Sequence, residues 1–366
     1  MTNILRVGII GANLQGSWGT WAHLPALAAL ETFEATAVAT SHLESAQATA
    51  AQFGISHAFD DPRKLVTHPD VDIVAVCVRV PAHKELVLMA LDAGKHVYCE
   101  WPLGRDTVEA IALHAAAQAA GVVHMIGLQS RSAPVITHAR DLIAQGAIGT
   151  VRSVGLVHSS DWISQLYPSM TYLQDRSSGA HFLSIPGGHS IDALTALLGQ
   201  FTSLSAMVKT ARRTVEVIGT GEILPRTSAD QIVVMGELED GVTATLRLSG
   251  ASSPGTGVRM EINGDAGDLV IIAAPGGRGI QMSDLTLYRT IDMGQLEEVA
   301  IPPSAYTVPE HLHACPPLNV GEAYLRMADA IAGRRKADPD FGDAVALHQL
   351  LDCIELSARE GRRIDV

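Results

Sequence analysis

The run Gly11-Ala12-Asn13-Leu14-Gln15-Gly16 stands between a short apolar segment and a helical pattern, the setting in which a glycine-rich turn cradles a dinucleotide pyrophosphate. The pattern G-x-G-x-x-G has Asn13 at its middle position. Asparagine tolerates left-handed backbone angles better than most residues, and its amide can donate to a phosphate. The helix that follows offers free N–H groups and a partial positive charge. Gly11, Asn13, Leu14 and Gly16 are therefore read as cofactor-binding, against the alternative of a plain strand-turn-helix with no ligand.

The next strand ends Val38-Ala39-Thr40-Ser41-His42, where an NAD site usually carries an acidic residue for the adenosine ribose. No carboxylate stands there to repel a 2'-phosphate, and Ser41 and His42 can both donate to one. NADP is expected to be preferred over NAD. The competing reading is that Ser41 caps the following helix.

A third cluster, Gly188-His189-Ser190-Ile191-Asp192, has the residue types for removing a proton from an alcohol. An imidazole is basic near neutral pH, and a carboxylate one helical turn along can orient it. Catalytic roles for His189 and Asp192 stand beside a plainer reading, in which Gly188 and His189 open the helix Ser190 to Leu198 and His189 fills a buried polar contact. His158-Ser159-Ser160-Asp161-Trp162 and His181 suit a sugar site: an aromatic face packs on C–H groups while imidazole and carboxylate bond hydroxyls. A solvated loop fits that stretch equally. Arg131, Tyr167 and His83 are weaker candidates, and Trp18 and Trp21 are read as packing residues.

The elements that must position these groups follow from periodicity. Arg6 to Ile10, Glu34 to Ala39, Val71 to Val78, His96 to Cys99 and Val122 to Gly127 read as strands. Between them lie helical patterns at Trp18 to Leu30, Leu43 to Phe53, His83 to Ala93 and Thr107 to Ala120. This alternation fits a doubly wound parallel sheet. After Gln129 a helix from Pro134 to Ala144 leads into alternating runs at Val151 to His158, Leu204 to Lys209, Ile232 to Leu238, Thr243 to Ser249, Arg259 to Asn263 and Asp268 to Ile272, which predict a largely antiparallel sheet. Helices at Val320 to Ile331 and Ala344 to Arg359 close the chain. The fold class is α/β: a nucleotide-binding domain over residues 1–128, then an α+β domain over 129–366 whose last helices pack back on the first.

With 366 residues the chain is too long for one ordinary core. Its net charge of -13 repels phosphate backbones and anionic lipid, which argues against direct nucleic-acid or membrane binding. The opening residues lack the apolar run of a signal peptide, so a cytoplasmic location is expected. Cys77, Cys99, Cys315 and Cys353 form no CxxC pair and lie near no histidine at zinc-finger spacing, so they read as reduced structural thiols and no metal site is visible.

Several motifs in order carry a likeness: the glycine turn at 11–16, Ala93-Gly94-Lys95-His96-Val97-Tyr98-Cys99-Glu100-Trp101-Pro102-Leu103, Gln129-x-Arg131-x-x-Pro134, and Gly188-His189-x-x-Asp192. On these the chain resembles, over nearly its whole length, the Gfo/Idh/MocA family of NAD(P)-dependent sugar and cyclitol oxidoreductases. Within that family it looks most like the galactose/lactose regulatory branch, which keeps the fold but acts in repression. The resemblance implies that His83, Glu100, Trp101, Pro102 and Gln129 lie at the cofactor, which leaves Arg131, His158, Asp161, Trp162 and His181 as the residues expected to face a sugar-like ligand on their own chemistry. It also implies a homodimer or homotetramer formed through the second sheet. In working members a lysine follows that glutamate, and an aspartate stands four residues before the histidine. Here those positions hold Trp101 and Ile185, neither of which takes a proton. Two functions stay open: an oxidoreductase acting on a sugar, polyol or sugar acid through His189, and a cofactor-binding sensor or co-regulator without turnover whose partner is a protein.

Overall fold

The computed structural model describes residues 4–251, 255, 257–273, 279–290 and 294–366. The chain divides into two compact units, one of residues 1–129 with 306–346 and the other of residues 130–305 with 347–366.

In the first unit six strands form one parallel sheet: β1 (Leu5–Ile10), β2 (Phe33–Ala39), β3 (His57–Phe59), β4 (Ile73–Val76), β5 (His96–Glu100) and β6 (His124–Gly127), in the order β3-β2-β1-β4-β5-β6. This is the doubly wound order whose crevice lies beyond the carboxyl ends of the strands, where the central β1 and β4 diverge. β4 is buried at every residue, as a strand covered by helices on both faces must be. Helix Thr107–Ala120 begins at Asp106, whose carboxylate accepts the Glu109 N–H at 2.8 Å, and ends at Gly121 in the left-handed region. Helix Pro317–Ile331 belongs to this unit. Its Tyr324, fully buried, stacks on Tyr98 of β5 with ring centroids 5.1 Å apart.

β3 and the short helix Pro62–Val66 are absent from the sequence reading. A three-residue strand carries too few positions for any period to show. The first helix also differs. Instead of running from Trp18 to Leu30, it is a π turn, Gly19–His23, followed by Leu24–Ala28. Pro25 has no N–H to continue the usual i→i−4 ladder, and the Leu24 N–H reaches back five residues to the Gly19 carbonyl.

Among the described residues of the second unit nine strands form one sheet, in the order Glu297–Val299, Leu285–Thr290, Asp268–Ala273, Val258–Gly264, Val151–Ser159, Thr243–Ser249, Gln231–Leu238, Phe201–Lys209 and Ile364–Asp365. All neighbouring pairs are antiparallel except Val151–Ser159 with Thr243–Ser249. Strand Thr243–Ser249 alternates exposed and buried residues over most of its length, so one face of the sheet is covered and the other open. A small three-stranded sheet of Gln165–Leu166, Thr214–Val217 and Ile223–Pro225 was not foreseen, nor were the outer strands Leu285–Thr290 and Glu297–Val299. The buried helix Gly188–Leu198 follows a second π turn, Leu183–Gly187, again beside a proline, Pro186. The helix thus begins at Gly188, with the chain already helical before it.

Candidate functional site: a dinucleotide turn and a buried histidine cluster

The turn after β1 depends on Gly11. Its φ is +101°, and a Cβ there would lie 2.4 Å from the Cys77 carbonyl oxygen and 2.7 Å from Val78 Cγ1, at the carboxyl end of β4. Only a residue without a side chain lets the two strand ends approach this closely. Gly16, at φ +91°, meets nothing within 4 Å, so its backbone angle alone requires glycine. Gly19, which the sequence reading passed over, does the packing work of the third fingerprint glycine: a Cβ there would lie 2.9 Å from Ala12 Cβ. Gly11→Ala is expected to lose about 2 kcal/mol or more of stability together with NAD(P) affinity, whereas Gly16→Ala loses far less stability. Denaturant midpoints and cofactor titrations of the two variants check this.

Asn13 works differently from the expectation. Among described non-glycine residues only Asp240 and Ala251 have positive φ, so Asn13 is not left-handed. Its Oδ1 accepts the Gln15 N–H at 3.0 Å, and its N–H donates to Ser17 Oγ at 2.8 Å. Asn13 therefore shapes the turn through a side chain-to-backbone bond that glycine cannot make. Leu14, Gln15 and Gly16 are exposed at its tip. The Gly11 N–H donates to the Ala39 carbonyl at 2.8 Å, so Gly11 and Asn13 both spend their N–H groups on the shape of the turn. At the end of β2, Ser41 and His42 are both exposed. Ser41 does not cap the next helix: His42 is the N-cap residue and makes no side-chain capping bond.

His83 is buried. Nδ1 lies 2.8 Å from the Pro102 carbonyl and Nε2 3.0 Å from the Val78 carbonyl, while burial pushes its pKa below the usual value. His83 thus ties the loop after β5 to the loop after β4. Trp101 is 4% exposed and joined to Pro102 by a cis peptide. Glu100 is fully engaged. Its Oε2 accepts from Gln129 Nε2 at 2.7 Å, and Oε1 lies 2.8 Å from His23 Nε2. His23 Nδ1 lies 2.8 Å from the Tyr324 hydroxyl, so the ring bridges Glu100 and Tyr324. His23 and Tyr324 escaped the sequence reading. The available signal was a lone histidine in an apolar helix and a lone glutamate closing an apolar strand.

The second unit holds the other candidates. His189 sits in the first turn of helix Gly188–Leu198, 4% exposed, and its Nδ1 has no hydrogen-bond partner among the described residues. Burial pushes its pKa down to about 3, and the neighbouring His158 imidazole adds to the shift. His158 is itself buried, with Nδ1 2.8 Å from Ser190 Oγ, and burial takes it to about 4. His181 is also lowered to about 4 by burial, with Arg176 contributing; its Nδ1 accepts the Ser184 N–H at 3.4 Å. Asp192 does not orient His189. Its carboxylate accepts from Arg131 Nε at 2.9 Å and 3.1 Å and from Nη2 at 2.7 Å, a forked pair with both side chains largely out of solvent. Helical spacing alone had suggested the wrong partner, and Arg131 is drawn away from direct ligand contact. Asp161 is exposed and Trp162 half-buried, so the stretch beginning at His158 splits: the histidine points into the core and Asp161 faces solvent. Tyr167 is 58% exposed. Ile185 is half-buried on the π turn and brings no polar atom.

These histidines set a pH dependence. Each holds its proton less tightly folded than unfolded, where an imidazole titrates near about 6.5, so the unfolded chain binds more protons as pH falls. Stability is expected to be undiminished above that pH and to be lost progressively from about pH 6.5 toward the folded values of about 4, 4 and 3. Denaturant midpoints across this range check it, and His158→Gln should flatten the slope.

A doubly wound sheet with a glycine turn at β1 and a second unit built on a large open-faced sheet define a two-unit dinucleotide-binding protein. Residues 5–128 match the oxidoreductase family with NAD-binding Rossmann fold, and residues 134–273 match the C-terminal domain of Gal80p. The chain belongs to the Gfo/Idh/MocA oxidoreductase family, with a Gal80p-like second domain. It is 34% identical over 212 residues to the dehydrogenase aclE of Aspergillus oryzae, covering 56% of this chain and 58% of that one. It is 30% identical to the galactose/lactose metabolism regulatory protein GAL80 of Kluyveromyces lactis, covering 78% of this chain and 66% of that one. The chain therefore spans less than two thirds of the length of both. Levoglucosan dehydrogenase of Pseudarthrobacter phenanthrenivorans is 25% identical over 99% of this chain and 98% of its own. Among solved structures, a super-repressor mutant of Gal80p from Saccharomyces cerevisiae superposes with a TM-score of 0.86 at 24% identity, covering 99% of this chain and 98% of its own. Levoglucosan dehydrogenase in complex with NADH and levoglucosan gives 0.84 at 23%, covering all of both chains. No helix among the described residues is long and apolar enough to cross a membrane.

Proposed function

We propose that this protein is an NAD(P)-dependent oxidoreductase acting on a hydroxyl of a sugar, polyol or sugar acid, with His189 as the proton acceptor in place of the family lysine. One observation carries the reading: a buried imidazole, neutral at physiological pH, whose Nδ1 has no partner among the described residues. Leaving such an atom unsatisfied costs about 1–3 kcal/mol, and a ligand hydroxyl removes that cost. His158 and Ser190 crowd the same helix start, and burial keeps His189 uncharged and able to receive a proton. The low basicity that comes with burial makes it a slower acceptor than a base tuned near pH 7. The turn of Gly11, Asn13, Leu14 and Gly16 holds the pyrophosphate, while Ser41 and His42 face the adenosine ribose and favour NADP. The bound nicotinamide supplies the hydride acceptor. Titration of the pure protein with NAD, NADP and their reduced forms tests the cofactor assignment, and NAD binding as tightly as NADP removes the preference.

A second reading is favoured by Trp101 at the lysine position, Ile185 at the aspartate position and the Arg131–Asp192 pair: a cofactor-binding sensor or co-regulator without turnover, acting through a protein partner. Its expected signature is tight cofactor binding with no reduction by any polyol or aldose, and gain of turnover in the double variant Trp101→Lys, Ile185→Asp. Self-association through the open face of the second sheet, where Met207 and Met235 are 54% and 59% exposed, belongs to both readings. A monomer by light scattering removes it.

A further inference from the structure

At the amino-terminal ends of the parallel strands, the edge opposite the Gly11 turn, three side chains converge that neither functional reading uses. His57 opens β3, and His68 and Asp70 lie on the loop before β4. One ligand atom from each lies within 4.8 Å of the others. His57 Nε2 is 3.3 Å from Asp70 Oδ2, His68 Nδ1 is 4.0 Å from the same oxygen, and the two imidazole rings are 4.0 Å apart. We infer that His57, His68 and Asp70 form a binding site for a divalent transition metal, with Zn2+ best suited.

Two imidazoles and a carboxylate are the donor set of a borderline-soft cation, and three protein ligands leave a fourth position for water. Bonds of about 2.0–2.2 Å in a tetrahedron place ligand atoms about 3.3 Å apart. The His57–Asp70 separation already meets this, so His68 supplies the closing movement. The loop that carries it is fixed in advance. Lys95 Nζ donates to the His68 and Val71 carbonyls at 3.2 Å and 2.6 Å, and Thr36 Oγ1 donates to the Asp70 carbonyl at 2.5 Å. Arg6 engages Asp70 through Oδ1 at 2.9 Å and otherwise grips Asp72, which leaves Asp70 Oδ2 turned toward the histidines. Its neighbouring charge also marks the cost. Arg6 and Lys95 together offset Asp70 and Asp72, so the cation is held by ligand chemistry rather than by local negative potential. His68 Nδ1 accepts the Asp70 N–H at 3.1 Å, and a metal at that nitrogen displaces this bond to water. Cysteine and histidine spacing could not disclose this set, because strand and loop topology brings together residues 57, 68 and 70.

The test is Zn2+ binding to the whole chain by calorimetry, with Co2+ as a visible-absorbing substitute and thermal unfolding followed in parallel. One equivalent of Zn2+ is expected to bind, to raise Tm and to bleach the Co2+ absorbance, and all three effects are expected to vanish in His57→Ala, His68→Ala. Asp70→Asn, which keeps the shape of the loop, should weaken binding at least tenfold and guards against a folding defect in the double variant. No binding by the wild type, binding retained in the double histidine variant, or an unchanged affinity in Asp70→Asn overturns the assignment.

Discussion

Replacing His189 with alanine is expected to lower kcat by about 10²–10⁴-fold while leaving NAD(P) affinity unchanged, because under the proposed function the imidazole receives the substrate proton, and the dinucleotide turn lies in a different compact unit. His189→Gln separates proton transfer from hydrogen bonding: the amide can still bond a hydroxyl, so ligand affinity is largely kept while kcat falls. The pH profile is the sharper signature. A histidine at its ordinary value would put an acid limb on kcat/KM near pH 6.5, whereas one pushed down to about 3 leaves the profile flat through that region. Steady-state kinetics of the wild type between pH 5 and 8, beside the two variants, decide it. An acid limb near 6.5 that disappears in His189→Gln would contradict the buried, neutral imidazole described here.

The second large effect is on stability. Asp192→Asn is expected to destabilise the protein by about 3–5 kcal/mol, because it leaves the Arg131 guanidinium largely buried without its counter-charge. Arg131→Met should be similarly costly alone. The double replacement is expected to recover a large part of the loss, giving a coupling of about 1–3 kcal/mol from equilibrium unfolding in urea. Were Asp192 instead the residue that orients His189, Asp192→Asn would lose turnover at nearly native stability. That result would reject the pairing as its main role.

These contrasts show where sequence pattern carries information. Helices Leu43–Phe53, Thr107–Ala120 and Pro134–Ala144 stand at the limits expected from apolar spacing with capping or breaking residues. β3 and the outer strands of the second sheet are short or weakly alternating, and only neighbouring strands define them. The π turns at Gly19–His23 and Leu183–Gly187 depend on where a proline interrupts the ladder. In the glycine turn, Gly11 and Gly16 were legible because their backbone angles restrict the residue type. Pairing was not legible. Glu100 with His23, His158 with Ser190, and Asp192 with Arg131 join residues distant in sequence, and helical spacing led instead to a His189–Asp192 contact that the fold does not make.

The most direct test of the proposed chemistry is to saturate the pure protein with the tighter-binding oxidised cofactor, mix it with sugars, polyols and sugar acids in turn, and follow the reduced nicotinamide absorbance for wild type and His189→Ala. The account predicts reduction with at least one of these compounds by the wild type and its loss in the variant. Tight cofactor binding with no reduction by any of them would contradict it and leave the sensor reading in its place.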